Sequence, residues 1–283
     1  MKLVTSILLL VLLLAPVQPA FAARPGANTV TLTASQVDGA NDIEAAIIQA
    51  TADGKRPGTV ILDGIEGPFV YTDLDRSLNL WISNLTLRGI NNAVLSNCDG
   101  GLSFDDLPMQ NVLVEEITFL CTGEAVTANG AHQGVILRNN IIQAVGHGII
   151  LGGASSGWEI TGNLVQAGGD AIRIYDTSDM LISGNHLSGT IGVALFRCSQ
   201  MDVRNNAIHA AWQGVLLGQD AWNNSVQINT ILGVEQSGIA LEPGVTGNRI
   251  VANRVLCAPG ASCLTVDASE DLAEYNQIAG NKP

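Results

Sequence analysis

The sequence predicts an all-β, single-domain solenoid, a single-stranded parallel β-helix of about nine coils with an N-terminal helical cap. Three observations predict it. An asparagine returns at Asn140, Asn163, Asn185, Asn206, Asn229 and Asn253, at spacings of 23, 22, 21, 23 and 24 residues, and self-similarity at such a period marks a repeat architecture. Each asparagine stands three residues after an apolar one (Leu137, Ile160, Ile182, Val203, Val226, Ile250) and two before another (Ile142, Val165, Leu187, Ile208, Ile231, Val255). A second segment then repeats as Gly148-Ile-Ile-Leu151, Ala171-Ile-Arg-Ile174, Gly192-Val-Ala-Leu195, Gly214-Val-Leu-Leu217, Gly238-Ile-Ala-Leu241 and Cys263-Leu-Thr-Val266. In a short strand, alternate residues of such a segment point inward.

Taken in order, residues 1–22 read as a secretory signal peptide: Lys2, an apolar run from Ile7 to Ala15, and a small-residue cleavage site at Ala20-Phe21-Ala22. The expected location is therefore secreted or periplasmic. Residues 23–79 read as an N-terminal cap, because Asn41-Asp42 followed by Ile43, Ala46, Ile47 and Ala50, with Gly54 behind, has helical spacing over about 42–53. That helix and a strand at Thr59-Val-Ile-Leu62 would close the mouth of the coil, since solenoid ends need covering. Residues 80–268 carry the repeats, and 269–283 read as a tail or a short C-terminal cover. Trp158-Glu-Ile160-Thr-Gly-Asn163-Leu-Val165 also fits a leucine-rich-repeat core. The second half of the repeat favours the β-helix, being a glycine-led β segment where a leucine-rich repeat places a helix or convex turn.

Charged residues are 14% of the chain, against about 25% in an ordinary soluble domain. A net charge of −13 with three lysines argues against nucleic acid and against anionic membrane surfaces. No segment beyond the signal approaches the roughly 18 apolar residues of a membrane span. Five cysteines in an exported chain invite disulfides. Cys257 and Cys263 are spaced to close a small loop, Cys98 and Cys121 to join neighbouring coils, and Cys198 is left as a buried turn residue.

Stacked coils stand about 4.8 Å apart, so equivalent residues form columns. The asparagine column reads as structural, each amide offering a donor and an acceptor. The column before the second strand reads Glu124, His147, Asp170, Ile191, Gln213, Ser237 and Ser262. His147 between two carboxylates is expected to favour its protonated form and, with them, to make an acid/base set: Glu124, His147, Asp170 and Arg173 are the candidate catalytic residues. Tyr175, Asp176, Arg197 and Trp212 are the candidate substrate-binding residues, with Trp158 and Trp222 also expected to face outward near turns.

The Asn140 to Asn253 ladder, the Gly-Ile-x-Leu segments and the opening Asp42-Ile-Glu-Ala-Ala-Ile-Ile-Gln-Ala-Thr51 followed by Gly58-Thr-Val-Ile-Leu62 resemble the right-handed parallel β-helix proteins of the pectin-lyase-like superfamily over about residues 40–268. That resemblance implies the right hand of the coil and a polysaccharide or cell-surface glycan as partner. Gly146-His147-Gly148 is similar to the Gly-His-Gly element of polygalacturonases, and Arg173-Ile174 to the start of their Arg-Ile-Lys element, with Tyr175 in place of the lysine. Asp105-Asp106 precedes Leu-Pro rather than leading a strand. Cleavage or epimerisation is the chemistry this implies. The alternative is a non-catalytic surface, envelope or adhesion protein that binds through a solenoid face. No cofactor is expected; calcium is the one ion considered, although no cluster of aspartates is evident. Zinc is not expected, because His132, His147, His186 and His209 fall in different coils and columns.

Overall fold

A computed structural model describes residues 28–70, 77–104, 107–266 and 276–282. The expected signal peptide, Asp105-Asp106 and residues 267–275 lie outside them. The chain winds into about nine coils of three short parallel strands, so that three faces run along the solenoid axis. The first face is one 11-stranded sheet from Thr29–Thr33 to Gln277–Ala279. The second face runs from Phe69–Val70 to Arg254–Cys257, and the third from Leu78–Leu80 to Ser262–Val266. These two merge into a 16-stranded sheet where His186–Phe196 and Ala207–Gly218 pass unbroken through the corner between them.

The register follows the sequence columns. On the third face Val126, Ile149, Ile172, Val193, Val215, Ile239 and Leu264 pair in succession. Inside the first face, Leu137, Ile160, Ile182, Val203, Val226 and Ile250 are all buried, each side chain contributing about 1.5–3 kcal/mol by leaving water. The glycines that lead the third-face strands point into this core: a Cβ on Gly214 would lie 2.3 Å from Ile231 and 2.4 Å from the Gly238 carbonyl.

At the corner from first to second face the asparagines form a continuous buried ladder. The Oδ1 of Asn185 accepts from both the backbone N–H and the Nδ2 of Asn163, at 2.9 and 3.0 Å, while Asn185 Nδ2 donates to the Ile160 carbonyl at 2.8 Å. The same pattern runs from Asn140 to Asn253 and ends on Asn281. The residue before each ladder asparagine is left-handed: Asn139, Gly162, Gly184, Asn205, Ile228, Ala252 and Gly280 have φ between 55° and 66°. Glycine and asparagine take that conformation readily; isoleucine and alanine do so at a cost.

The cap helix, α1, spans Ala40–Thr51 rather than 42–53 and is preceded by Gly39, so Asp42 lies in its first turn and accepts from the Asp38 N–H at 2.8 Å. Ile43, Ala46, Ile47 and Ala50 cover the first coil, and Glu44 accepts from the Asn79 N–H at 3.1 Å. The strand expected at 59–62 is Gly58–Asp63, with a further strand, Thr29–Thr33, beyond it at the edge of the sheet. In the segment expected as a tail or cover, Gln277–Ala279 pairs with Arg249–Val251 as one more first-face rung, and Asn276 and Asn281 extend two ladders. Disulfides join Cys98 to Cys121 across adjacent rungs and Cys257 to Cys263 within a loop, with Cα separations of 4.7 and 5.7 Å. Cys198 is buried, and burial pushes its thiol pKa up.

Candidate functional site

Side chains that point away from the core on the third face fall into three outward columns. The first contains Glu124, His147, Asp170, Ile191, Gln213 and Ser237; the second Ile150, Arg173, Ala194, Leu216 and Ala240; the third Gly152, Tyr175, Phe196 and Gly218. Glu124, His147 and Asp170 therefore occupy consecutive rungs, and Arg173 projects outward from between the buried Ile172 and Ile174.

The contacts within this group differ from the sequence expectation. His147 Nδ1 accepts a 2.9 Å hydrogen bond from the backbone N–H of Asp170, which occupies that nitrogen with a main-chain donor. The ring is not held between the two carboxylates as expected; its Nδ1 is taken by a main-chain donor. Asp170 Oδ2 is 4.0 Å from Nδ1 and Glu124 makes no ion pair with the ring. The ring lies against Gly169, where a Cβ would come within 2.7 Å of Nδ1. The Asp170 carboxylate, its side chain 3% exposed, instead accepts from Arg173 Nε at 2.5 Å. This ion pair offsets the charge of Arg173 with a neighbouring carboxylate and leaves Asp170, whose side chain is buried, without a solvent-facing base. The two carboxylates two rungs apart, roughly 9–10 Å by sheet spacing, sit at the upper edge of the separation an inverting hydrolase needs.

Beyond this cluster Tyr175 and Phe196 stack with ring centroids 5.1 Å apart and planes 16° from parallel. Phe196 in turn lies over Gly218, where a Cβ would be 2.9 Å from its ring. Asp176 and Arg197 form a two-pronged pair at 2.6 and 2.9 Å, and Arg197 also donates to Gln219 at 2.7 Å. The hydrogen bond from Arg197 holds the Asp176 carboxyl below the usual carboxylate range, and Asp176 raises the arginine in return. Trp212 is half exposed but stands at the second-to-third corner beside Gln213, the opposite edge of the face from Tyr175, so the two do not wall one pocket. Trp222 lies at another corner, next to Ser199 and Thr246. Trp158, expected to face outward, is fully buried against Phe104 with centroids 5.0 Å apart. Left-handed Gly157 precedes it and turns it into the core.

The glycines that make room for rings, Gly169 under His147 and Gly218 under Phe196, and Gly152 on the rung before Tyr175, carried no signal when each was read alone; only the column alignment reveals them. Among the described residues no group of three or more His, Cys, Asp or Glu side chains is placed to hold a metal ion, and His132 lies in the core between Phe104 and Trp158.

A family model described as the right handed beta helix region matches residues 147–283, and one described as periplasmic copper-binding protein (NosD) matches residues 74–201. Among the described residues no group of three or more His, Cys, Asp or Glu is placed to hold the copper named in the second description. No curated protein sequence matches the chain. Among solved structures, DFA-IIIase from Arthrobacter chlorophenolicus A6 is similar at a TM-score of 0.60 and 14% identity, over 87% of this chain and 88% of that one. A structure of the same protein in complex with DFA-III gives 0.57 and 14%, covering 88% of both chains. A hyperthermoactive exopolygalacturonase from Thermotoga maritima gives 0.59 and 12%, over 80% and 81%. The coil geometry, the two family matches and these structures agree on one fold, the right-handed parallel β-helix.

Proposed function

We propose that this protein is exported to the periplasm or beyond the cell and binds a polysaccharide or cell-surface glycan along the outer surface of its third face. One observation carries the reading: consecutive rungs set Glu124, His147, Asp170 with Arg173, and then Tyr175 stacked on Phe196, side by side on a single surface. Polar groups beside exposed ring edges are what a sugar chain requires, since a pyranose has an apolar face and a hydroxyl rim. Solved structures of this fold that include a DFA-IIIase and an exopolygalacturonase support a carbohydrate partner. A periplasmic family match and the lack of any helix long and apolar enough to cross a membrane among the described residues support the location.

Binding without bond cleavage is the form the geometry supports best, because Asp170 is closed against Arg173 and short turns join the strands around the site. The second reading, cleavage or epimerisation, rests on His147: its ring is a quarter exposed, within one rung of Glu124, and its Nδ1 is oriented by the Asp170 N–H. Proton NMR of neutral and acidic polysaccharides incubated with the protein and with His147→Ala, with and without calcium, separates the two. New anomeric or vinyl signals that vanish in the variant would establish an enzyme. Line broadening without new signals would establish binding alone, and unperturbed spectra across the panel would remove the glycan reading.

A further inference from the structure

The two arginines of the third face each stand against a carboxylate of this chain. Arg173 Nε is bonded to Asp170, and Arg197 gives two nitrogens to Asp176 and the third to Gln219. A uronate carboxylate arriving here would meet the Asp170 and Asp176 carboxylates beside those arginines while approaching a chain of net charge −13. A neutral sugar meets no such opposition. It also meets a stacking surface with one side open. Phe196 covers one face of the Tyr175 ring, whereas the rung on the other side supplies Gly152, which has no side chain to cover the second. Exposed Asn129 reaches over this gap, its Oδ1 3.4 Å from where a Cβ on Gly152 would stand. Its amide offers both a donor and an acceptor to hydroxyls.

We infer that the glycan is neutral, and that one of its rings stacks on the free face of Tyr175 in the slot over Gly152, with Asn129 at its edge. The inference rests on the glycan-binding reading above and narrows it. Gly152 is outside the left-handed region, so a side chain there fills the slot without backbone strain. Affinity electrophoresis of the purified protein in gels containing a neutral β-glucan, a galactomannan, polygalacturonate or alginate tests the idea, with Gly152→Leu, Tyr175→Ala and Gly152→Ala run beside the wild type.

The expected result is retardation by at least one neutral polysaccharide at both low and high salt. Gly152→Leu and Tyr175→Ala should each weaken it about tenfold, the size of one aromatic contact, with Gly152→Ala close to wild type. Thermal melts confirm that each variant is folded. Preferential, salt-sensitive retardation by the uronates would overturn the inference and leave the glycan reading standing. So would neutral binding that both variants retain. Retardation by none of the four would overturn both.

Discussion

Two corners of the coil solve the same problem differently. From first to second face, every rung from Asn140 to Asn253 carries a buried asparagine, and a part-buried Asn281 ends the row. From third to first face, the equivalent column reads Trp158, Met180, Met201, Asn224, Asn248 and Asn276. The second column is apolar for its first rungs and becomes a ladder only at Asn224, whose Oδ1 accepts from the Met201 N–H at 3.0 Å. A turn can therefore be filled by packing or by amides. What does not occur, across these described rungs, is a lone asparagine between apolar neighbours. Each amide is worth burying because the next rung supplies its partner, and an isolated buried amide would bear its full desolvation cost.

The largest effect should come from breaking the unbroken corner. Asn185→Ala removes the acceptor of two Asn163 donors and the donor to the Ile160 carbonyl, and should cost on the order of 3 kcal/mol or more in urea unfolding. Asn224→Ala, which strands only the Met201 N–H and the Cys198 carbonyl, should cost less. Next in size is a pair that tests contiguity. Met201→Asn adds a rung directly to the existing ladder, while Met180→Asn buries an amide beside Met201; the first should be less destabilising by about 1 kcal/mol or more. Equal costs would show that the ladder gains nothing from continuity.

A smaller change should go the other way. Ile228 holds φ at 56° immediately before Asn229, where Asn139 and Asn205 serve other rungs. Ile228→Asn should raise stability by up to about 1 kcal/mol, read as a higher melting temperature. The smallest effect belongs to the Asp176–Arg197 pair outside both corners, because half-exposed pairs are screened. The folded carboxyl titrates below its unfolded value. The stability it contributes is full above about pH 4 and is lost as the pH falls through the lowered folded value. The unfolding midpoints of wild type and Asp176→Asn should differ by a constant amount at neutral pH and converge in acid.

Much of the fold is legible in the sequence because columns are one-dimensional. The Asn140 to Asn253 spacing fixes the rung, and the glycine-led strands fix the register, so Glu124, His147 and Asp170 could be aligned on consecutive rungs from letters alone. What escaped is what the period does not encode. The Asn224, Asn248 and Asn276 column is short, and its last step spans 28 residues, as does the step from Asn253 to Asn281, both longer than the 21 to 24 residues that separate Asn140 to Asn253. Trp158 reads as a turn residue until the left-handed Gly157 is known to turn it inward. His147 Nδ1 is taken by the Asp170 backbone N–H rather than by either carboxylate, and no side-chain pattern reveals a main-chain donor. Arg173 lies three residues from Asp170, but only the strand's pleat shows that both point outward and close on each other.

The main ladder also has a direction. Each ladder amide sends its N–H and one Nδ2 proton forward, to an acceptor in the coil that follows, and the other Nδ2 proton back to a carbonyl already in place. A chain emerging N-terminus first thus always ends in one coil whose forward donors await a partner still unmade, for about a second or more at roughly 5–20 residues per second. Growth proceeds by a leading edge that is unfinished at every moment. Among the described residues the row ends on Asn281, which accepts both forward donors of Asn253 and so completes the coil before it.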